Sequence, residues 1–364
     1  MSEVKYWIGF ALIPGIGRAR LNRLLEHFGS LEEAWYADSG ELIAAGLDSK
    51  TVEAILTHRP RIQLEAEIEK LEKYKVKALP LNDPSFPQLL KEIYDPPPVL
   101  YVRGTLTQED ECSLAVVGTR RPTMYGRQVT EQLVADLVQN KVTIVSGLAR
   151  GIDTIAHRTA LKGGGRTIAV FACGLDMVYP AENRGLAQEI MKQGALVSEY
   201  PLGTKPRAEN FPRRNRIMSG LSLGVLVIEA MERSGALITA NLALEENREV
   251  FAVPGSIFSP TSRGTNRLIR DGAKLVREVS DILEELNLSM VPKQLEMKEL
   301  VPENEIESLL LKYLSQEPVH IDEICRNSGL PASTVSSTLT IMELKGMVRQ
   351  LGSMNYILSG EVKI

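Results

Sequence analysis

Two stretches decide the fold: Ser113-Leu-Ala-Val-Val-Gly-Thr-Arg-Arg-Pro122 and Val142-Thr-Ile-Val-Ser-Gly-Leu-Ala-Arg-Gly-Ile-Asp153. Each opens as a short, β-branched apolar run, breaks at a glycine, and leads into a stretch of amphipathic helical character. Strands that read as continuous apolar runs are buried on both faces, which is the signature of a parallel sheet flanked by helices. The same beat continues down the middle of the chain. Strands are expected at Leu114–Val117, Val142–Val145, Thr167–Phe171, Leu196–Ser198, Val225–Ile228, Val250–Val253 and Lys274–Val276, with helices between most of them. Residues 112–286 therefore form an α/β domain with a doubly wound, mostly parallel sheet. A ligand of such a sheet belongs at the carboxyl ends of its strands.

On the N-terminal side, residues 1–80 read as helical. Leu21, Leu24, Leu25 and Phe28 share one helix face, and Pro14-Gly15-Ile16-Gly17 makes a tight turn before them. A looser turn, Ala45-Gly46-Leu47, leads into a helix from Ser49 to Thr57. The pair resembles a helix-hairpin-helix, whose glycines let amides approach a phosphate; a helical packing module that makes no such contact explains it equally well. Residues 81–111 are read as a connector, with Lys91 to Gly104 stiffened by Pro96-Pro97-Pro98. Beyond the sheet, 287–303 has the mixed polarity of a linker. Residues 304–364 follow the order of a winged helix-turn-helix: helices at Ile306–Leu314, Ile321–Asn327 and Ser333–Lys345, then a hairpin around Gly352-Ser353.

Composition excludes several classes. The chain has 364 residues, 44% hydrophobic and 24% charged, which fits two or three globular domains and neither a disordered nor a collagen-like chain. It shows no apolar run long enough for a membrane span and no signal-peptide pattern, so no membrane insertion is expected. Cys112, Cys173 and Cys325 are far apart and odd in number, as reduced thiols in a cytoplasm would be; neither a disulfide nor a metal site is expected. The net charge of −4 conceals its distribution: residues 112–286 carry 22 Lys/Arg against 18 Asp/Glu, and both flanks are acidic. An anionic partner would meet the middle of the chain.

The loops after the expected strands hold the candidate chemistry. Gly118, Thr119, Arg120 and Arg121 stand at one strand end, and Gly147, Arg150 and Gly151 at the next. Guanidinium forks and amides at a helix N-terminus bind phosphate without reading a base. Neither turn is GxGxxG or GxxxxGK[ST], so no nucleotide cofactor is expected. Between Lys205 and Arg216 stand five cations (Lys205, Arg207, Arg213, Arg214, Arg216) and one carboxylate, with Phe211 among them. Cations that track a backbone plus an aromatic face on which a base stacks make a single-strand groove; a solvated charged face with Phe211 as a core anchor is the plainer explanation. Ser234 stands before a helix, placed either to cap it or to bond a ligand. Asp153 and His157, four apart on one helix, are drawn as an acid–base pair only weakly, and no nucleophile–base arrangement accompanies them, so no catalytic residue is assigned. The expected recognition helix of the tail carries one lysine, too few cations for a duplex reader.

Six blocks in order resemble the DNA-processing protein A (DprA, or Smf) family of bacterial recombination mediators. They are Val116–Arg121, Ser146–Asp153 with Ala156-His157, Gly174–Pro180, Phe211–Ile217, Ser234–Thr239 and Val253–Gly255. The resemblance implies a Rossmann-like central domain, a helical N-terminal domain of the sterile-alpha-motif (SAM-like) type and a C-terminal winged helix. It implies a non-enzymatic role: binding single-stranded DNA, protecting it during natural transformation and helping load RecA recombinase. It also implies a homodimer built through the Rossmann-like domain, and a basic pocket on Arg120, Arg121, Arg150, the Lys205 to Arg216 run and Phe211. The alternative from the residues alone is an enzyme processing a nucleotide or nucleoside phosphate on the same kind of sheet.

Overall fold

A computed structural model describes residues 3–288, 304–315, 317–345, 347–352 and 354–358. Most of the expected linker, together with Ser353 of the expected hairpin, lies outside these residues. The chain forms two compact units, Met1–Val291 and Pro292–Ile364.

The first unit opens with α1 (Val4–Ala11), α2 (Arg18–Phe28), α3 (Leu31–Tyr36), α4 (Ser39–Ala44), α5 (Ser49–His58) and α6 (Leu64–Tyr74). Ser30, Asp38 and Asp48 cap α3, α4 and α5 by accepting backbone N–H groups, which explains why these short helices start where they do. Tyr6, Trp7, Phe10, Leu21, Leu24 and Trp35 are buried between them. The two glycine turns are stapled to each other from α2. Arg20 Nη2 donates to Asp48 Oδ2 at 3.0 Å, and Arg23 Nη1 donates to the Gly46 carbonyl at 2.9 Å. Arginines that would serve a phosphate are thus engaged inside the module, which favours the packing explanation for this domain.

The rest of the unit is a nine-stranded sheet with helices on its faces. Along the chain come β1 (Lys77–Pro80), α7 (Gln88–Glu92), β2 (Val99–Gly104), β3 (Ser113–Val117), α8 (Met124–Gln139), β4 (Thr143–Ser146) and α9 (Ile152–Lys162). Then follow β5 (Thr167–Phe171), α10 (Arg184–Gln193), β6 (Ala195–Ser198), α11 (Asn210–Gly220), β7 (Gly224–Val227) and α12 (Gly235–Glu245). The unit closes with β8 (Glu249–Ala252), α13 (Arg263–Arg270), β9 (Lys274–Leu275) and α14 (Val279–Glu285). The spatial order is β1-β2-β6-β5-β4-β3-β7-β8-β9, and β3 to β9 pair in parallel. All seven expected strands are present, with ends shifted by a residue at most. Every residue of β3 is buried, on alternating faces: Leu114 and Val116 pack with Leu133, Leu137, Ile152 and Ala156, whereas Ala115 and Val117 share the core of Ile217, Met218, Ala240 and Ala243.

Because β3 lies between β4 and β7, the chain winds out one way through β4, β5 and β6 and the other way through β7, β8 and β9. The carboxyl ends of β3 and β7 flank the crevice that this reversal opens, the place where such sheets bind ligands. No helix among the described residues is long and apolar enough to cross a membrane.

The stretch 91–104, expected as an extended connector, starts instead in the last two residues of α7, Lys91 and Glu92, and only then runs on to β2, which pairs antiparallel with both β1 and β6. Its extended backbone is legible in the sequence; its partners are not, because a strand needs a neighbour that local sequence does not name. Ahead of it, Leu90 and Ile93 lie where a side chain on Gly220 of α11 would fall, with Leu90 Cδ1 and Ile93 Cγ2 each 2.9 Å from that position. The connector is therefore part of the core beneath α11.

The second unit holds α15 (Glu305–Leu311), β10 (Val319–His320), α16 (Ile321–Ser328), α17 (Ala332–Leu344), β11 (Val348–Gln350) and β12 (Asn355–Leu358). Its sheet order is β10-β12-β11, and Leu310, Ile324, Val335, Leu339, Met342 and Tyr356 fill its core. This is the expected winged helix. Lys345, the lysine at the end of its α17, donates to the buried Glu307 at 2.7 Å, and the exposed face of α17 carries Ser333, Ser336, Ser337 and Thr340.

The packing under α11 yields a first prediction. Leu90 is fully buried, so Leu90→Ala should lower the stability of the first unit by about 2–5 kcal/mol in urea unfolding. A loss within experimental error would show that residues 81–98 merely drape over the domain.

Candidate nucleic-acid interface

The loops at the carboxyl edge of the sheet are held by three buried charged side chains, Arg214, Asp153 and Glu229. Arg214, on α11, is only 5% exposed. Its Nη1 donates to the carbonyl of Gly147 at 2.8 Å and to that of Val170, and its Nε donates to Asn215 Oδ1 at 3.2 Å. A buried guanidinium is tolerated only when hydrogen-bonded and balanced, and Asp153 supplies the opposing charge. Asp153 Oδ2 in turn accepts from the amides of Gly147 (3.1 Å) and Ala149 (3.2 Å). Burial pushes the Asp153 carboxyl above the ordinary carboxylate range, while Arg214 and the two amides pull it back. Gly147 has to be glycine because a Cβ there would stand 2.5 Å from the Arg214 guanidinium. Gly151 has φ +77° and sits against the backbone of Thr119 and Arg120, locking the second loop to the first.

Across the crevice the matching part is Glu229, 2% exposed, which follows β7. Its carboxylate accepts from Thr123 N (2.9 Å), Thr123 Oγ1 (2.7 Å) and Thr261 Oγ1 (2.9 Å). Its own carbonyl accepts from Thr119 N at 2.8 Å. One carboxylate thereby fastens the loops after β3, β7 and β8 together. Thr119 is buried, its Oγ1 accepting from Arg121 N at 3.2 Å. Gly118 leaves room for Ile152, and Ser234 caps α12 by accepting from Ala236 N at 3.3 Å. The amides of Gly147, Ala149, Thr119 and Arg121 are thus committed within the protein, so side chains rather than those amides face outward.

Above this frame is an exposed aromatic and cationic surface. The Arg120 guanidinium stands over the Phe211 ring, 6.0 Å from its centroid. Tyr179 also contacts Phe211, with centroids 5.6 Å apart and planes tilted by 58°. Tyr179 is half exposed and Phe211 partly so. Arg121, Lys205, Arg207 and Arg213 are exposed on the same loops and the first turns of α11. Arg150 is exposed and bidentate to Glu182, with both bonds at 2.8 Å; exposed as it is, that pair is weak and exchangeable. Arg216 turns inward instead, to Glu199 and Asp95.

The structure therefore sorts the expected residues. Arg120, Arg121, Arg150, Lys205, Arg207, Arg213 and Phe211 are available to a ligand. Arg214 and Arg216 are corrected to internal roles, because their position on α11 points them into the sheet. Tyr179 is an addition that sequence reasoning missed. It belongs to the block Gly174–Pro180, and the signal was an aromatic residue in a loop at a strand end, the same argument that singles out Phe211.

Asp153 and His157 do not form a pair. Thr167 Oγ1 donates to the Ile144 carbonyl at 2.7 Å and so accepts from His157 Nδ1–H at 2.7 Å, which fixes the tautomer. Burial, with the Arg214 charge second, presses this imidazole down to about 3.

Comparison with known proteins accords with this geometry. Residues 77–287 match the family described as DNA recombination-mediator protein A, and residues 296–353 match the DprA winged helix domain. The chain belongs to the DprA/Smf family. Protein Smf of Synechocystis sp. is 36% identical over 98% of both chains. The X-ray structure of DprA from Streptococcus pneumoniae superimposes with a TM-score of 0.69 at 37% identity, over 77% of this chain and 97% of that one. A structure of Helicobacter pylori DprA, described for its single-stranded DNA binding mode, gives a TM-score of 0.53 at 33% identity, over 58% of this chain and 96% of that one. In this DprA/Smf chain the family blocks serve two ends: Gly147, Asp153 and Arg214 build the frame, and Arg120, Tyr179 and Phe211 form the surface.

Two outcomes check the frame. Arg214→Leu leaves Asp153 without its counter-charge and two carbonyls without a donor, so it should cost about 3–5 kcal/mol of stability. His157 is the second. An imidazole held near 3 when folded binds a proton from about pH 6.5 downward only when unfolded, so stability is whole above pH 6.5 and falls as pH drops toward 3. His157→Gln should remove up to about 1.4 kcal/mol per pH unit from the acid slope of the wild type between pH 6 and 4. Parallel slopes for the two proteins would contradict the buried neutral assignment.

Proposed function

We propose that this protein binds single-stranded DNA along the carboxyl edge of its sheet, bases stacking on Phe211 and Tyr179 while Arg120, Arg121, Arg150, Arg213, Lys205 and Arg207 meet phosphates. The observation that carries the reading is the Arg120–Phe211–Tyr179 cluster on a rigid frame, ringed by exposed cations. Flat faces accept any unpaired base, and cations meet the backbone regardless of sequence, so the grip is general for single strands. A duplex hides its base faces and offers such a stack nothing. Membership of a recombination-mediator family supports the same reading, as does the likeness to Helicobacter pylori DprA with its single-stranded DNA binding mode.

That membership also supports a finer role, which we propose with it: protection of incoming single strands during natural transformation, delivery of RecA recombinase to them, and action as a cytoplasmic homodimer without enzymatic turnover. Ile257 and Phe258, highly exposed in the loop after β8, offer apolar surface for self-association. RecA delivery is tested by the rate at which RecA begins strand-dependent ATP hydrolysis with and without the protein.

Fluorescence anisotropy with a labelled oligothymidylate across a salt series tests the binding surface. Phe211→Ala and Tyr179→Ala should each weaken binding by about 1–3 kcal/mol, roughly five- to 150-fold. The double reversal Arg120→Glu and Arg121→Glu should flatten the salt dependence by more than the roughly 0.7 log units per log salt that one lost phosphate contact accounts for. Unchanged affinity in all three variants would sink the proposal.

A further inference from the structure

Beside the aromatic stack the protein has a second feature that single-strand stacking leaves unused. A half-open cavity of about 390 Å³, within the range of small-ligand pockets, has Tyr179 in its lining. Its floor is the sheet face at the β2–β6 junction, where Arg103 and Leu196 are register partners and so rise from the same face. Its roof is one stripe of α10: Arg184, Ala187, Gln188 and Met191, spaced i, i+3, i+4 and i+7. The loop from Asp176 to Tyr179, with Pro206, closes one end. Met177, Val178, Met191 and Leu196 make the interior apolar, while two cations, Arg103 and Arg184, border it with no carboxylate partner among the described residues.

We infer that this cavity takes one nucleotide of the bound strand, its base turned away from its neighbours into the apolar interior and its flanking phosphates on Arg103 and Arg184. The inference rests on the single-strand reading and extends it. Tyr179 is shared by the two features: its ring contacts Phe211 and it also lines the cavity, so a strand held at the aromatic pair lies beside the cavity. Apolar walls suit a base's flat faces, and Gln188 and Asp176 offer a donor and acceptors to its edge. One Asp176 oxygen already accepts from Gly203 N at 2.9 Å, which holds that carboxylate in place. A base lifted from its neighbours leaves a gap in stacking that the next base cannot fill, so the cavity would set the register of the strand. An arginine-bordered apolar pocket also has the chemistry to hold a free nucleoside monophosphate, and the test separates the two sources.

The probe is an oligothymidylate bearing one 2-aminopurine, moved a position at a time and bound to the full-length protein. Its fluorescence is quenched by stacking and recovers when the base is isolated. One position should brighten several-fold on wild type, and Arg103→Ala with Arg184→Ala should abolish that signal and lower the salt slope by about 1.4, at roughly 0.7 per phosphate. Met191→Trp, which fills the cavity and keeps both arginines, should abolish the bright position and leave the slope unchanged. The inference is overturned if no position brightens, if the variants keep the bright position, or if thymidine monophosphate protects the cavity from these effects without competing with the strand. Strand binding that survives in the cavity variants but fails in Phe211→Ala leaves the single-strand reading intact while removing the cavity; failure of wild type to bind any strand removes both.

Discussion

A guanidinium buried beneath the loops organises this edge of the molecule. Arg214 has no water to solvate it, so the Gly147 and Val170 carbonyls, Asn215 and the charge of Asp153 must take that place. Apart from Asn215, the next residue on α11, those partners lie on β5, on the loop after β4 and on α9, so satisfying one charge ties α11 to three other parts of the fold. Removing any member leaves a buried charge or carbonyl unmatched, which is far costlier than the net worth of the contacts themselves. Glu229 acts in the same way on the other side of the crevice, where three hydroxyl and amide donors bring the loops after β3, β7 and β8 onto one carboxylate.

Rigidity of that kind matters to the surface above it. Stacking and charge contacts with a flexible polymer are individually weak, and a mobile set of loops would have to be ordered at each binding event. With the frame already built, Arg120, Phe211 and Tyr179 are held as a unit, and the exposed lysines and arginines around them stay free to follow a backbone. A division of labour among arginines results. Those buried in the frame position the loops, and those on its rim contact the ligand, although Arg213, Arg214 and Arg216 belong to one run of cations in the sequence.

The parts that the sequence made legible were those governed by local patterning. The parallel strands β3 to β8 were readable because burial on both faces demands runs of apolar residues, and glycine breaks marked the loops after β3 and β4. The winged helix was readable from helix order and turn residues. Two strands, β1 and β2, were not: Lys77–Pro80 ends the stretch read as helical, Val99–Gly104 follows three prolines, and only their pairing with each other and with β6 makes them strands. Within the interface, Phe211 stood out among cations, whereas Tyr179 did not, its neighbours being apolar.

The sequence by itself determined the sheet, the edge at which its loops gather and the cationic character of those loops, since periodicity and composition act residue by residue. Which arginine faces inward was decided only in three dimensions. Arg213 and Arg214 are adjacent and chemically identical, yet a rotation of about 100° per residue along α11 sends one to solvent and the other beneath the sheet loops. The helix's orientation on the sheet selects between them, and the residues packed against that helix include Leu90 and Ile93, more than a hundred positions away.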